Sequence, residues 1–209
     1  MTDAPISYQQ EVRRKLIHLS SLWMPTAMCF LPRFPLATAF LILLILNLLV
    51  EHARAAGNPV ITPVYDFFFG RMLRFQPKPG QWIVSGGPYV FASAAMSLFL
   101  FPSPVAAAAM TVMLLGDTAA ALIGRKFGKH KTVNGKSLEG VAAFLLAGYA
   151  GAAVCLALCN MPGIFFLMAA PGVLLAAIAE LFEKQIRLDD NFSIPLAMGG
   201  MLSLGWLFF

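Results

Sequence analysis

Asp117 is the residue of this sequence most able to do chemistry, because its carboxylate interrupts a long apolar segment, MLLGDTAAALIG. A charged side chain inside a membrane span costs about 2.5 to 3.5 kcal/mol on insertion scales, and such residues usually face a polar cavity. On a helix, three small residues would share the face of Asp117: Ala120, Ala121 and Gly124. The base Arg125 follows eight residues after Asp117, or roughly 12 Å along the helix. This face predicts a path for a phosphate chain with its magnesium ion. Close helix packing through small residues is the alternative, which explains the small residues but not the aspartate.

Further oxygen ligands occur at the end of the sixth apolar segment and just after it. Magnesium binds one or two protein carboxylates together with waters and substrate phosphates. Two pairs of side chains offer such ligands: Asp117 with Glu180, or Asp190 with Asn191. The other acids of this stretch are interpreted as a solvated helix end: Glu183 and Asp189.

Basic residues precede the first apolar segment, in the stretch EVRRKLIHLS. Arg14 and His18 are one helical turn apart, with Lys15 beside them. Alone, these residues are typical of the positively charged flank of a membrane span. Together with the acids they indicate a phosphate clamp, because catalysis of phosphoryl transfer depends on positioning and charge neutralisation.

The stretch NGKS at residues 134–137 looks like the end of a P-loop, but the full pattern is absent. A P-loop needs a glycine five positions before the glycine of Gly-Lys-Ser, and His130 occupies that position. The motif also follows a strand, whereas a long apolar run precedes this stretch. Phosphate binding here would therefore need another arrangement.

Composition places these residues in a membrane protein. Of 209 residues, 59% are apolar and 12% are charged, whereas soluble domains carry about 25% charged residues. The sequence therefore predicts an all-α, polytopic integral membrane bundle that forms one domain over residues 1–209. Apolar runs between charge clusters predict about seven transmembrane helices, at 16–32, 34–50, 82–101, 104–124, 140–159, 162–182 and 192–209.

The charges of both signs collect at one face of this bundle. If the N-terminus is cytoplasmic, Arg33 is the one base left on the other side, which agrees with the positive-inside rule. The cytoplasmic segments then include residues 1–15, a loop at 51–80 with an interfacial amphipathic helix, and a basic loop at 124–139. Solvated loops attracted to anionic lipids are the alternative interpretation of this face.

The three cysteines lie in apolar segments: Cys29, Cys155 and Cys159. Their odd number and their placement argue against a disulfide framework. We interpret them as packing residues and not as metal ligands, because no histidine or further cysteine lies near Cys155 and Cys159 in the sequence.

Six stretches occur in the order found in the CTP-dependent lipid-alcohol kinases: RRKLIHL, VEHAR, LLGDTAAALIGRKFGKHK, NGKSLEGVAAF, AELFE and DDNFSIPL. Over roughly residues 11–197, the sequence therefore resembles this family, which includes dolichol kinase, phytol kinase and the CTP-dependent diacylglycerol kinase. The family is distantly similar to phosphatidate cytidylyltransferase. The resemblance also includes Glu51, in the VEHAR stretch.

The resemblance implies transfer of the gamma-phosphoryl group of CTP to a lipid alcohol, with Mg²⁺ or another divalent cation. With the residue patterns above, it assigns catalysis to Asp117, Arg14, Lys15, His18 and Glu180. Nucleotide binding is assigned to Gly124, Arg125, Lys129, Lys136, Glu139 and Asn191, with Glu139 orienting a lysine. The predicted metal ligands are Asp117, Glu180 and Asp190.

The acceptor stays open between a polyprenol, a phytol-like isoprenoid and diacylglycerol, since each needs only an apolar groove. Two other functions stay open: CDP-lipid synthesis of the phosphatidate cytidylyltransferase type, and a non-catalytic transporter or scaffold. The expected partners are CTP, the lipid alcohol and membrane lipids, with a homo-oligomer left open and no nucleic acid. The expected location is a prokaryotic inner membrane, with the active site on the cytoplasmic side.

Overall fold

The computed structural model describes residues 7–70 and 81–208, and there the regular secondary structure is helical. This confirms the predicted all-α class. The α-helices are α1 (Tyr8–Ser20), α2 (Trp23–Phe30), α3 (Arg33–Ala55), α4 (Ile61–Phe69), α5 (Gly86–Leu100), α6 (Ser103–Phe127), α7 (Leu138–Leu158), α8 (Gly163–Leu181), α9 (Glu183–Ile186) and α10 (Asp190–Ser203). Two 3₁₀ helices cover Val133–Gly135 and Leu204–Phe208.

Five helices of the described ranges are long and apolar enough to cross a membrane: α3, α6, α7, α8 and the continuous stretch Asp190–Phe208. Their mean hydropathy lies between 1.2 and 2.2. These helices are those of an integral membrane protein by length and composition. The count of seven and the cytoplasmic N-terminus stay predictions.

The segment predicted as one span at 16–32 forms two helices, with a break between Ser20 and Trp23. Pro25 explains the break, because its nitrogen carries no hydrogen for the carbonyl four residues earlier. That carbonyl, of Ser21, accepts instead from the backbone N–H of Met24, at 2.9 Å. The basic residues of α1 and the apolar α2 are therefore separate elements.

The segment predicted at 82–101 becomes helical only at Gly86. Ser85 caps the helix by accepting from the N–H of Gly87, at 3.3 Å. The buried carboxylate of Glu51, near the end of α3, accepts hydrogen bonds from the backbone N–H and the hydroxyl of Ser85. Glu51 thus ties α3 to the start of α5, which gives this acid a structural partner.

Helix α4 lies within the predicted interfacial segment, at 51–80. Its phenylalanines 67, 68 and 69 are exposed, and Arg54 Nε lies 2.6 Å from Asp66 Oδ1. An amphipathic surface helix with an aromatic face is typical of a membrane interface. The remaining part of the predicted segment, residues 71–80, lies outside the described residues, and it contains the bases Arg71, Arg74 and Lys78.

Helix α6 is the most buried of the candidate spans, and small residues let α7 approach it closely. A Cβ atom on Gly140 of α7 would lie 2.9 Å from the carbonyl oxygen of Ala120 and 3.3 Å from the Cα of Gly124. A Cβ on Gly116 of α6 would lie 3.0 Å from the ring of Phe144. Glycine at these positions therefore brings the two backbones together.

Gly140→Ala is expected to destabilise the protein by about 1 to 3 kcal/mol, because backbone atoms meet the new methyl group and cannot rotate away. Thermal unfolding in detergent measures the effect. Gly163→Ala is the matched control, because a Cβ there meets nothing within 4 Å. An equal unfolding temperature for the two variants would contradict the proposed close contact of α6 and α7.

Candidate active site

A cavity of about 1000 Å³ lies where the ends of several helices meet. Its walls include the end of α6, the loop after it, the ends of α1 and α8 and the starts of α5 and α10. Nine of the predicted site residues line it: Arg14, His18, Asp117, Gly124, Arg125, Lys136, Glu180, Asp190 and Asn191. The fold thus joins charges from four distant parts of the sequence.

Asp117 forms an ion pair with Lys15, whose ammonium group donates to Asp117 Oδ2. Both residues are buried, and Lys15 is only 1% exposed. His18 Nε2 lies 3.4 Å from the same oxygen but has no hydrogen-bond partner in the described part of the chain. A divalent cation bound to Asp117 would therefore share the carboxylate with Lys15.

Glu11 is a site residue that the sequence interpretation missed. It is 1% exposed, and its carboxylate lies 2.5 Å from Arg14 Nη2 and 3.5 Å from Arg125 Nη2. Burial acts to raise the pKa of Glu11, but the hydrogen bond and the charge of Arg14 outweigh it, so that the pKa is lowered. Glu11 therefore stays ionised and holds two guanidinium groups at the cavity. Its spacing of three residues from Arg14 on a helix was the available signal.

The stretch that looked like a P-loop is a tight turn. Asn134 and Gly135 have φ values of 60° and 77°, and Lys136 N donates to Val133 O at 3.3 Å. Positive φ at both central residues is typical of a type I′ turn, for which Asn-Gly is the preferred sequence. Asn134 Nδ2 also donates to Leu181 O, at 2.9 Å, and so fixes the turn against the end of α8.

This turn positions Lys136 between two acids. Its Nζ atom lies 2.6 Å from Glu180 Oε1 and 3.4 Å from Glu183 Oε2. Glu180 is buried, so its charge needs this partner. Glu183, which the sequence interpretation treated as a solvated helix end, therefore also takes part in the charge network.

Asn191 presents an unsatisfied acceptor near the start of α10. Its Nδ2 donates to Asp189 Oδ1 at 2.6 Å, and its backbone carbonyl accepts from the hydroxyl of Ser93. Its side-chain oxygen is buried and has no hydrogen-bond partner among residues 7–70 and 81–208. A buried oxygen without a donor from the protein is suited to accept from a water molecule or to bind a cation. With Asp190 and Asp117 at the same cavity, the donor set suits magnesium.

Three predicted residues lie elsewhere. Lys15 is buried behind Asp117 and does not line the cavity. Lys129 is exposed and also lies outside the lining. Glu139 contacts His130, with 2.7 Å between its Oε1 and His130 Nδ1, where the sequence interpretation expected a lysine. Gly124 does line the cavity, but its close approach to Gly140 also supports the packing interpretation.

The chain is distantly similar to a dolichol kinase. It is 27% identical over 194 residues to dolichol kinase sec59 of Schizosaccharomyces pombe, a match that covers 89% of this chain and 38% of the kinase. An uncharacterised protein of Rickettsia prowazekii is 27% identical over 189 residues, with 90% of each chain covered. No family model matches the sequence. No solved structure matches it either.

Proposed function

We propose that the protein is a membrane kinase that transfers the gamma-phosphoryl group of CTP to the hydroxyl group of a lipid alcohol. The observation that carries the proposal is the cavity in which the buried Asp117 lies among basic side chains. The similarity to a dolichol kinase supports the reaction class. The CTP donor comes from the family resemblance of the sequence motifs.

The basic side chains of the cavity are the proposed phosphate ligands: Arg14, Arg125 and Lys136. Asp117, Asp190 and the unpaired oxygen of Asn191 would hold Mg²⁺, with Glu180 as a further ligand. Bound magnesium would neutralise and orient the phosphate oxygens. The protein's own contribution is to fix these charges before the substrate arrives, which is the main source of catalysis in phosphoryl transfer.

Aromatic side chains line the same cavity and supply a surface for the acceptor: Trp23, Tyr65, Phe69 and Tyr89. A lipid alcohol would place its chain against them and its hydroxyl near Asp117. The transition state of phosphoryl transfer is loose, so the hydroxyl proton leaves late and needs no strong base. His18 Nε2, which lacks a hydrogen-bond partner in the described residues, would accept this proton.

The test is incubation of the purified protein in detergent with magnesium, gamma-labelled CTP and a panel of polyprenols, phytol and diacylglycerol. We expect label in one lipid and CDP as the other product. Release of labelled pyrophosphate with phosphatidate present would instead establish CDP-lipid synthesis. No transfer to any lipid would favour a transporter or scaffold. Replacing CTP by ATP or GTP tests the proposed donor in the same assay.

We place the reaction on the cytoplasmic side of a prokaryotic inner membrane. Bases before the first apolar segment and in the loop after α6 support this orientation through the positive-inside rule. Among these bases, Arg14 and Lys136 line the cavity, so the proposed orientation would give the nucleotide direct access to it.

A further inference from the structure

The three cysteines come together, although the sequence interpretation treated them as separate packing residues. Cys29 belongs to α2, Cys155 to α7, and Cys159 follows the last residue of α7. Their sulfur atoms all lie within 4.8 Å of one another, with 3.8 Å between those of Cys29 and Cys155. Cys29 lies 126 residues before Cys155, so its nearness to the other two cysteines is not visible in the sequence.

The distance of 3.8 Å between the sulfurs of Cys29 and Cys155 suits a shared metal ion. When three sulfurs bind one metal ion at about 2.3 Å each, neighbouring sulfurs are about 3.8 Å apart in a pyramidal arrangement and about 4.0 Å apart in a planar one. Within the described ranges, no histidine, aspartate, glutamate or fourth cysteine joins the group. Structural zinc almost always has four ligands, whereas three thiolates suit the soft ion Cu(I).

We propose that Cys29, Cys155 and Cys159 form a Cu(I) site that links α2 to α7. Cys155 is buried and the other two are half-buried. Copper enters and stays as Cu(I), and each thiol that binds it releases its proton to solvent. The bond joins two helices that are far apart in the sequence, so it stabilises the folded chain over the unfolded chain.

This site is distinct from the candidate active site. Ser137 caps α7 at the cavity, and Cys155 lies eighteen residues further along the helix, or about 27 Å. The proposal therefore does not depend on the kinase function. Copper binding and lipid phosphorylation are separate measurements, so either can fail without the other.

The test uses the full chain, purified with reductant and without oxygen, and titrated with Cu(I) against a copper-binding dye as competitor. We expect one copper per chain, three sulfurs around it by X-ray absorption, and a higher unfolding temperature. Cys29→Ser and Cys159→Ser, at half-buried positions, are each expected to reduce the count to two sulfurs. These two variants keep the test valid if Cys155→Ser fails to fold.

A variant with serine at all three positions should bind no copper in competition with the dye. Ser97→Ala, a change at another buried small residue, is the matched control and should keep three sulfurs. Copper bound by the cysteine-free variant, or two sulfurs in the native chain, would overturn the proposal. A Cys29–Cys155 disulfide in the freshly isolated protein, seen as a loss of two hydrogens by mass, would also overturn it.

Discussion

Replacing Asp117 with asparagine is expected to lower the rate of lipid phosphorylation by about 10² to 10³-fold, the effect of losing a key electrostatic group in an active site. Asparagine keeps the size of the side chain but removes the charge that would hold the cation. The rate is measured at saturating CTP, and a magnesium titration reports whether higher metal concentration restores it. Asp66→Asn is the control, because Asp66 pairs with Arg54 and does not line the cavity.

The same substitution leaves the buried ammonium of Lys15 without its counter-charge, which destabilises a folded protein. A double variant, Asp117→Asn with Lys15→Met, separates this effect from catalysis. We expect the double variant to regain much of the unfolding temperature of the native chain but none of its activity. Turnover near the native rate in Asp117→Asn would remove Asp117 from the metal role.

Lys136→Ala is expected to lower kcat/KM for CTP by about 100-fold, because a charged group that binds phosphate contributes several kcal/mol in a desolvated site. Most of the change should be a higher KM if Lys136 binds the phosphates equally in the ground and transition states. Steady-state kinetics with the accepted lipid measures both constants. Lys136→Arg keeps the charge and should retain part of the activity.

Lys126→Ala is the matched control for this variant, since Lys126 is exposed, lies over the ring of Phe127 and does not line the cavity. Its kinetic constants should stay within about twofold of the native values, as for most surface changes. Equal losses in the two lysine variants would indicate general attraction of CTP by a basic face and would contradict a specific role for Lys136.

The sequence alone was sufficient to identify Asp117 as an unusual charged residue. An aspartate in an apolar helix is conspicuous without any knowledge of the fold, because its insertion cost needs a reason. The helix-forming apolar runs were equally clear, and their bounds agree with α3, α6, α7 and α8 to within a few residues. Features that depend on local composition, such as these helices and the intramembrane aspartate, were therefore predictable from the sequence.

The pairing of the charges could not be predicted in this way. Lys15 is 102 positions from Asp117, and Lys136 is 44 positions from Glu180. Residues so far apart in the sequence come into contact through helix packing, which no short sequence pattern predicts. Glu11 shows only part of its role locally: its spacing from Arg14 is visible in the sequence, but its second partner, Arg125, belongs to another helix.

Two local features were readable but were interpreted too simply. Pro25 within the first apolar run indicated a helix break near Ser21, and Asn134-Gly135 indicated a tight turn. Hydropathy treats a proline in an apolar run as part of the span, so the prediction of one helix at 16–32 passed over it. The cysteine cluster, by contrast, could not be predicted from any local feature, because Cys29 comes near the other two cysteines only in the folded chain.

The ion pairs of the cavity have a consequence for how the binding of two ligands would be coupled. Lys136 holds Glu180, and Arg14 holds Glu11, so the bases of the cavity already have counter-charges. A phosphate group that takes Lys136 as its partner releases the Glu180 carboxylate, which then becomes available to a divalent cation. If the proposed function holds, binding would then be an exchange of counter-ions, in which nucleotide and metal each raise the affinity for the other by the same factor.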